Sequence, residues 1–312
     1  MFTLNKLTDN YLHYCTFLKK LNDKTIKAYR IDLNQFSNFI KNNSLYYSKD
    51  TINNYIYMLH KHYKPKSVKR KIVSIKAFFN YLVYEEILEN NPFDKINTCF
   101  REPKCLPRTI PFNLIETLMN TMYQELTKAD TSTAKQYILR DITIIELLFA
   151  TGMRISELCS LNIKQVDLIS NKILINGKGN KERILQIGNP EVINILNEYY
   201  VTFQNDIIST GWFFINRLHT RFSEQSVRIM IKNYAKKANI SLLLTPHMFR
   251  HSVATLLLDA DVDIRCIQQI LGHNSITTTE IYTHVSTAKQ ESILSTKHPR
   301  NIMSINNKNK TT

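Results

Sequence analysis

Apolar residues recur three and four positions apart along most of the chain, which predicts a mainly helical protein. Residues 1 to about 90 divide into four such stretches. The second is the clearest: Asn22 or Asp23 offers a cap, and Tyr29, Leu33, Phe36 and Ile40 then share one face. That face points to a core and leaves Lys27, Arg30 and Lys41 toward solvent or a ligand. A weaker helix is predicted over Lys49–Lys61. Pro65 stands where a first-turn proline belongs, and Ser67–Tyr84 follows with Val68, Ile72, Ile75, Phe79 and Leu82 in phase.

Asn90–Pro111 breaks the pattern. Four prolines (92, 103, 107 and 111) are mixed there with Arg101, Lys104 and Arg108, which predicts a basic, extended linker over 91–111. It separates an N-terminal domain, 1–90, from a second one, 112–296. Helices are expected there over 112–126, 134–150, 154–161, 190–204, 224–238, 246–258 and 262–271. Lys172–Asn176 and Arg183–Ile187 read as short strands on either side of the Gly177-Lys178-Gly179-Asn180 turn, which predicts a β-hairpin. A third strand is read through Trp212–Ile215. Residues 297–312 form a polar tail that reads as disordered.

Charge adds a partner. The 312 residues carry 41 Lys and Arg against 26 Asp and Glu, a formal net charge of +15. Residues 1–108 hold 19 basic and 9 acidic side chains, so the surplus is concentrated in the smaller part. Such an excess favours a polyanion. Lys66, Lys69, Arg70, Lys71 and Lys76 lie close together on one predicted helix with no acid before Glu85, a self-repelling set that nearby phosphates would relieve. Arg30, Arg101, Lys104 and, in the second domain, Lys181 join Lys66, Lys69, Arg70 and Lys71 as the candidate phosphate contacts. No apolar run reaches the roughly 20 residues of a membrane-spanning helix, and the polar start predicts no secretory signal. Five scattered cysteines without a CxxC pair read as reduced thiols of a cytoplasmic protein.

Four segments of the second domain set polar groups into apolar surroundings. Arg154 follows a buried helix, and Glu157 one turn on is placed to hold its guanidinium. Lys178 and Lys181 sit at the hairpin tip, in a turn that lacks the P-loop pattern. Thr245-Pro246 starts a helix with His247 and Arg250 on one face of its first turn, where a helix N-terminus already favours anions. His247 and His251 at i,i+4 lack the glutamate of a zinc motif and any ligand in register, so no metal site is assigned. Gly272 closes a helix before His273, and Tyr282 follows in a hydroxyl-rich stretch. Arginines, lysine, histidines and a tyrosine, with no acidic or metal-binding pair, suit attack by a phenolic oxygen on a phosphodiester. Two guanidiniums clamp the phosphate, and a lysine on a mobile turn protonates the departing oxygen.

The order and spacing of these segments resemble the tyrosine recombinase (phage integrase) family, most closely its Xer-type members. The resemblance rests on ATGMRISEL at 150–158, NGKGNKER at 176–183, TPHMFRHSVAT at 245–255 and LGHNSITTTEIYTHV at 271–285. TIKAYRIDLNQFSNFI at 25–40 and SVKRKIVSIKAFFNYLVYEEILENNP at 67–92 extend it across roughly residues 5–298. It implies an N-terminal four-helix SAM-like DNA-clamping bundle and an α-rich catalytic domain with a small three-stranded antiparallel sheet. It also implies a catalytic set of Arg154, Lys178, His247, Arg250, His273 and the nucleophile Tyr282. The implied reaction cuts and rejoins DNA through a 3′-phosphotyrosyl ester and a Holliday junction. Neither metal nor ATP takes part, and no cofactor is implied. The implied partners are double-stranded DNA carrying recombination sites and three further protomers, of this chain or of a second recombinase. The role is dimer resolution or mobile-element integration. Leu256 replaces a histidine frequent in Xer-like sequences, and Asp261 stands where a glycine usually ends the helix. A type IB topoisomerase and a DNA-binding protein without chemistry are the alternatives. Relaxation of plasmids lacking any cognate site distinguishes the first, and failure to form a covalent adduct the second.

Overall fold

The computed structural model describes residues 4–42, 48–98, 100, 107–176 and 182–272. Two compact units divide the chain, Met1–Lys104 and Cys105–Thr312.

The first unit is built from four helices, α1 (Leu4–Phe17), α2 (Asp23–Asn42), α3 (Lys49–His62) and α4 (Pro65–Tyr84). Asn22 begins α2 by accepting from the Thr25 N–H at 2.8 Å, Ser48 caps α3, and Pro65 opens α4. The four apolar stripes meet around Tyr11, Phe36, Tyr55, Phe78 and Phe79. A charged pair lies inside. Asp32 is fully buried and takes Lys71 at 2.9 Å, Ser74 at 3.0 Å and the Arg70 guanidinium. Lys71 is therefore removed from the DNA-facing set. Its side chain turns inward because position 71 shares the phase of Val68, Ile75, Phe78 and Leu82, and its ammonium also donates to Gln35 at 2.6 Å. Arg70 keeps one edge exposed while paired, Lys66 and Lys69 are exposed, and exposed Arg30 pairs with Asp9 at 3.4 Å.

The stretch read as an extended linker is folded at both ends. Phe93 is buried in the first core, with its N–H held by Asn91 Oδ1 at 2.9 Å. Ile110 is buried in the second core and donates to Ser252 Oγ at 2.7 Å. Proline stops helices without preventing anchorage by a neighbouring aromatic or aliphatic side chain. Arg101 and Lys104 lie outside the described residues.

The second unit contains α5 (Phe112–Lys128), α6 (Ser132–Thr151), α7 (Ile155–Cys159), a three-stranded sheet, α8 (Pro190–Thr210), α9 (Glu224–Lys237), α10 (Pro246–Asp259) and α11 (Ile264–Leu271). Helix α6, with Ile142, Ile144, Ile145, Leu147 and Leu148 buried on several sides, packs on α5, α8 and α10. The antiparallel sheet runs β1 (Val166–Asp167), β2 (Lys172–Asn176), β3 (Glu182–Gln186). Its third strand is thus Val166–Asp167, and Trp212–Ile215 is not part of it. Trp212 and Ile215 make only isolated bridges, to Asn162 and Arg221. Phe213, Phe214 and Ile215 are all buried in succession, so the segment has no solvent-facing side. Asp261, just past the end of α10, adopts φ +60°, and the Val262 N–H reaches back to Leu257 O at 3.0 Å. The position expected to be glycine therefore has a left-handed backbone, which Asp accepts at modest cost.

Candidate active site

The second unit brings three arginines to the C-terminal end of one short helix. Helix α6 ends at Gly152, whose φ of +60° turns the chain so that Arg154 starts α7. Glu157, one turn on, accepts the Arg154 backbone N–H at 2.8 Å and the Arg154 Nη1 at 2.8 Å. The same carboxylate takes a two-pronged contact from Arg183 on β3, Nη1 at 3.0 Å and Nη2 at 2.8 Å. Burial alone would raise the Glu157 pKa. The Arg183 fork, the Arg154 backbone N–H, the Arg183 charge and the Arg154 side-chain hydrogen bond outweigh it and hold the carboxyl below its ordinary 4.5.

The last carbonyls of an α-helix have no partner within it and carry the negative end of its dipole. In α11 they are taken in order: Arg183 Nε donates to Ile270 O at 3.2 Å, Arg250 Nη2 to Leu271 O at 2.5 Å, and Arg154 Nη2 to Gly272 O at 3.1 Å. Arg250 is buried and also donates to Gly152 O at 2.8 Å, which ties the end of α6 to the end of α11. Exposure separates the three roles. Glu157 is 7% and Arg183 14% exposed, whereas Arg154 keeps 35% of its side chain open to a ligand.

His247 opens α10 behind Pro246 and is exposed at its edge. Loss of water around the ring, and then the charges of Arg250, Arg228 and Arg154, push it below the ordinary 6.5. His251 is lowered too, by burial and then by His247 and Arg250. A neutral imidazole at neutral pH can accept a proton. The unfolded chain protonates both rings at higher pH than the folded one does. Their contribution to stability is therefore complete above about pH 6.5 and is lost as pH falls through the lowered values. Denaturant titrations between about pH 7.5 and 5 are expected to show that loss, and His247→Gln with His251→Gln to flatten it.

Sequence reasoning singled out Arg154, His247, Arg250 and the hold of Glu157 on Arg154, and these come together. Lys178, Lys181, His273 and Tyr282 lie outside the described residues. Arg183 belongs to none of the predicted roles, yet the sequence holds a signal for it. In β3 it shares the inward phase of Leu185 and Ile187 against outward Glu182, Ile184 and Gln186. A charge on the inward face of a strand needs a buried partner.

Gly272 joins this cluster to the segment that carries His273. Its φ is +65°, and a Cβ there would lie 2.7 Å from Arg183 Nη1. Gly272→Ala is expected to destabilise the second unit by about 1–2 kcal/mol from backbone strain alone. Thermal unfolding should show a fall of roughly 2–8 °C.

Among the described residues no group of three or more His, Cys, Asp or Glu could hold a metal, and no helix is long and apolar enough to cross a membrane. The second unit is thus mainly helical, with a three-stranded sheet and an arginine cluster beside a helix-opening histidine. Residues 110–289 match the Phage integrase family and residues 8–86 the N-terminal SAM-like domain of phage integrases, and the chain belongs to this family of tyrosine recombinases. It is 54% identical to a tyrosine recombinase of Agathobacter rectalis over 292 residues, covering 93% of this chain and 95% of that protein. It is 34% identical to tyrosine recombinase XerD of Staphylococcus epidermidis over 306 residues, covering 95% of this chain and all of that one. The fold is also that of XerH site-specific recombinase bound to its difH substrate, with a TM-score of 0.71 at 20% identity, covering 95% of this chain and 85% of that one.

Proposed function

We propose that this chain is a site-specific DNA recombinase that cuts and rejoins strands through a 3′-phosphotyrosyl intermediate. The observation that carries the proposal is the arginine cluster, in which partly exposed Arg154 and buried Arg250 are fixed by carbonyls and one carboxylate before any ligand arrives. Donors fixed in advance need no reorganisation when charge develops on a phosphorane, which is the main source of electrostatic catalysis. Arg154 and Arg250 hold the non-bridging oxygens, with His273 and neutral His247 alongside. The Tyr282 oxygen attacks phosphorus as its proton passes to the His247 imidazole, the P–O5′ bond breaks, and Lys178 supplies the proton to the leaving 5′ oxygen. Attack by a 5′-hydroxyl from a second duplex reverses the step and releases the tyrosine. The ester conserves the bond energy, so neither ATP nor metal is needed.

The first unit clamps DNA as a core-binding domain, with Arg30, Lys66, Lys69 and Arg70 toward the backbone and Arg101, Lys104 and Lys181 adding contacts from the linker and the hairpin. Four protomers, identical or shared with a second recombinase, act on two sites in the cytoplasm. Dimer resolution and mobile-element movement both fit this chemistry. The test is to trap protein–DNA adducts in the native host and sequence the attached DNA. A single recurrent sequence joined through a 3′ phosphate is expected. Adducts spread over unrelated sequences, with relaxation of any supercoiled plasmid, would favour a topoisomerase.

A further inference from the structure

Charge accounting around Glu157 exposes a difficulty that Arg183 resolves. A buried carboxylate bound to Arg154 alone would neutralise the guanidinium that a phosphate must find. The carboxylate instead has both oxygens engaged by Arg183, whose two nitrogens reach Oε1 at 3.0 Å and Oε2 at 2.8 Å. A parallel fork of this kind is the strongest geometry an arginine makes with a carboxylate. Arg154 contributes one side-chain bond to the same group, at 2.8 Å, and one to Gly272 O at 3.1 Å. With two guanidiniums around one carboxylate, a net positive charge remains, and it lies on the more exposed partner.

The third donor of Arg183 fixes where that charge sits. Nε holds Ile270 O at 3.2 Å, one residue before the carbonyl held by Arg250 and two before the one held by Arg154. Gly272 leaves the room that the guanidinium fills, since a Cβ there would also lie 2.9 Å from Arg183 Cζ. Arg183 lies two residues after Lys181 in the sequence, on β3, so it ties that strand to the end of α11.

We propose that Arg183 is a positioning residue of the strand-transfer reaction. It neutralises Glu157, so that Arg154 offers its charge to the scissile phosphate, and it pins the end of α11 against β3. It touches neither DNA nor the reacting atoms. The proposal rests on the recombinase reading above, and wild-type adduct formation tests that reading separately.

The experiment uses the full chain, a nicked suicide duplex carrying the sequence mapped from trapped adducts, and the rate of covalent adduct formation at saturating protein. Arg183→Gln is expected to slow the adduct about tenfold to a hundredfold, the scale set by losing charge-assisted hydrogen bonds. Binding to the same duplex should stay within about threefold, because the residue acts after binding. Arg183→Lys, which keeps the charge and loses the fork, should fall between the wild type and Arg183→Gln. Adding Glu157→Gln to Arg183→Gln should speed the reaction again, since the carboxylate left unneutralised is then gone. A merely structural arginine predicts the opposite, a double variant slower than the single one. Thermal unfolding of every variant accompanies the rates. If Arg183→Gln does not fold, the Arg183→Lys protein is measured with and without Glu157→Gln in its place. An Arg183→Gln rate equal to wild type, equal losses in the Lys and Gln variants, or a double variant no faster than the single one would overturn the proposal.

Discussion

Tyr282→Phe is expected to bind its DNA as the wild type does and to form no covalent adduct, a loss of at least about a thousandfold in adduct rate. Phenylalanine keeps the ring and removes only the oxygen that would attack phosphorus. A phenol with an ordinary pKa of about 10 needs a cationic pocket and a base to act near neutrality. Other tyrosines of the second unit are placed for a different task. Tyr123 donates to Glu146 Oε1 at 2.8 Å, and Tyr199, fully buried, donates to Phe213 O at 2.9 Å. Burial first, and neighbouring carboxylates after it, push the pKa values of Tyr123 and Tyr234 well up, and burial does the same to Tyr199. Such phenols are locked in their protonated form and serve as structural donors. Gel shift measures the binding, and a denaturing gel with end-labelled DNA measures the adduct. An adduct that survives Tyr282→Phe would mean that another side chain is the nucleophile.

Much of this fold is written in local periodicity. The stripes of α2 and α4 predict which faces are buried because a surface helix must hide one side. Gly152 and Gly272 mark helix ends because both positions take positive φ. The features that resisted prediction depend on partners distant in sequence. Lys71 reads as one more surface lysine until Asp32, 39 residues away, is seen to lie beneath it. The third strand could not be located by pattern, since Val166–Asp167 is two residues long and pairs only because the hairpin presents an edge. Trp212–Ile215 has the composition of a strand and is instead pinned by single bridges among buried aromatic rings. At the site, Glu157 was visible as a partner of Arg154 because they lie three residues apart. Arg183, 26 residues further on, was hidden by the same rule, and only its phase in β3 gave it away.

Glu157→Ala is expected to cost the second unit about 3 kcal/mol, seen as a fall of roughly 6–12 °C in its unfolding temperature. The carboxylate is 7% exposed and ends four hydrogen bonds, one from a backbone N–H and three from two guanidiniums. Alanine leaves Arg183, itself only 14% exposed, with an unpaired charge in a place water barely reaches. It also strips α7 of its N-terminal cap. Arg154 adds less to the cost, because a side chain one-third exposed can turn its charge to solvent. Glu157→Gln keeps an acceptor for the Arg154 N–H and most of the volume, so it should lose less than half as much as alanine. Its loss should shrink further in acid, since the wild-type advantage depends on an ionised carboxylate. The stability gained from the lowered Glu157 pKa is present above its ordinary 4.5 and disappears as pH falls through the folded value. Denaturant curves for wild type and Glu157→Gln at about pH 7 and at about pH 4 read the difference directly. Curves that stay equally far apart at both values would mean that packing, and not the two guanidiniums, is what the carboxylate supplies.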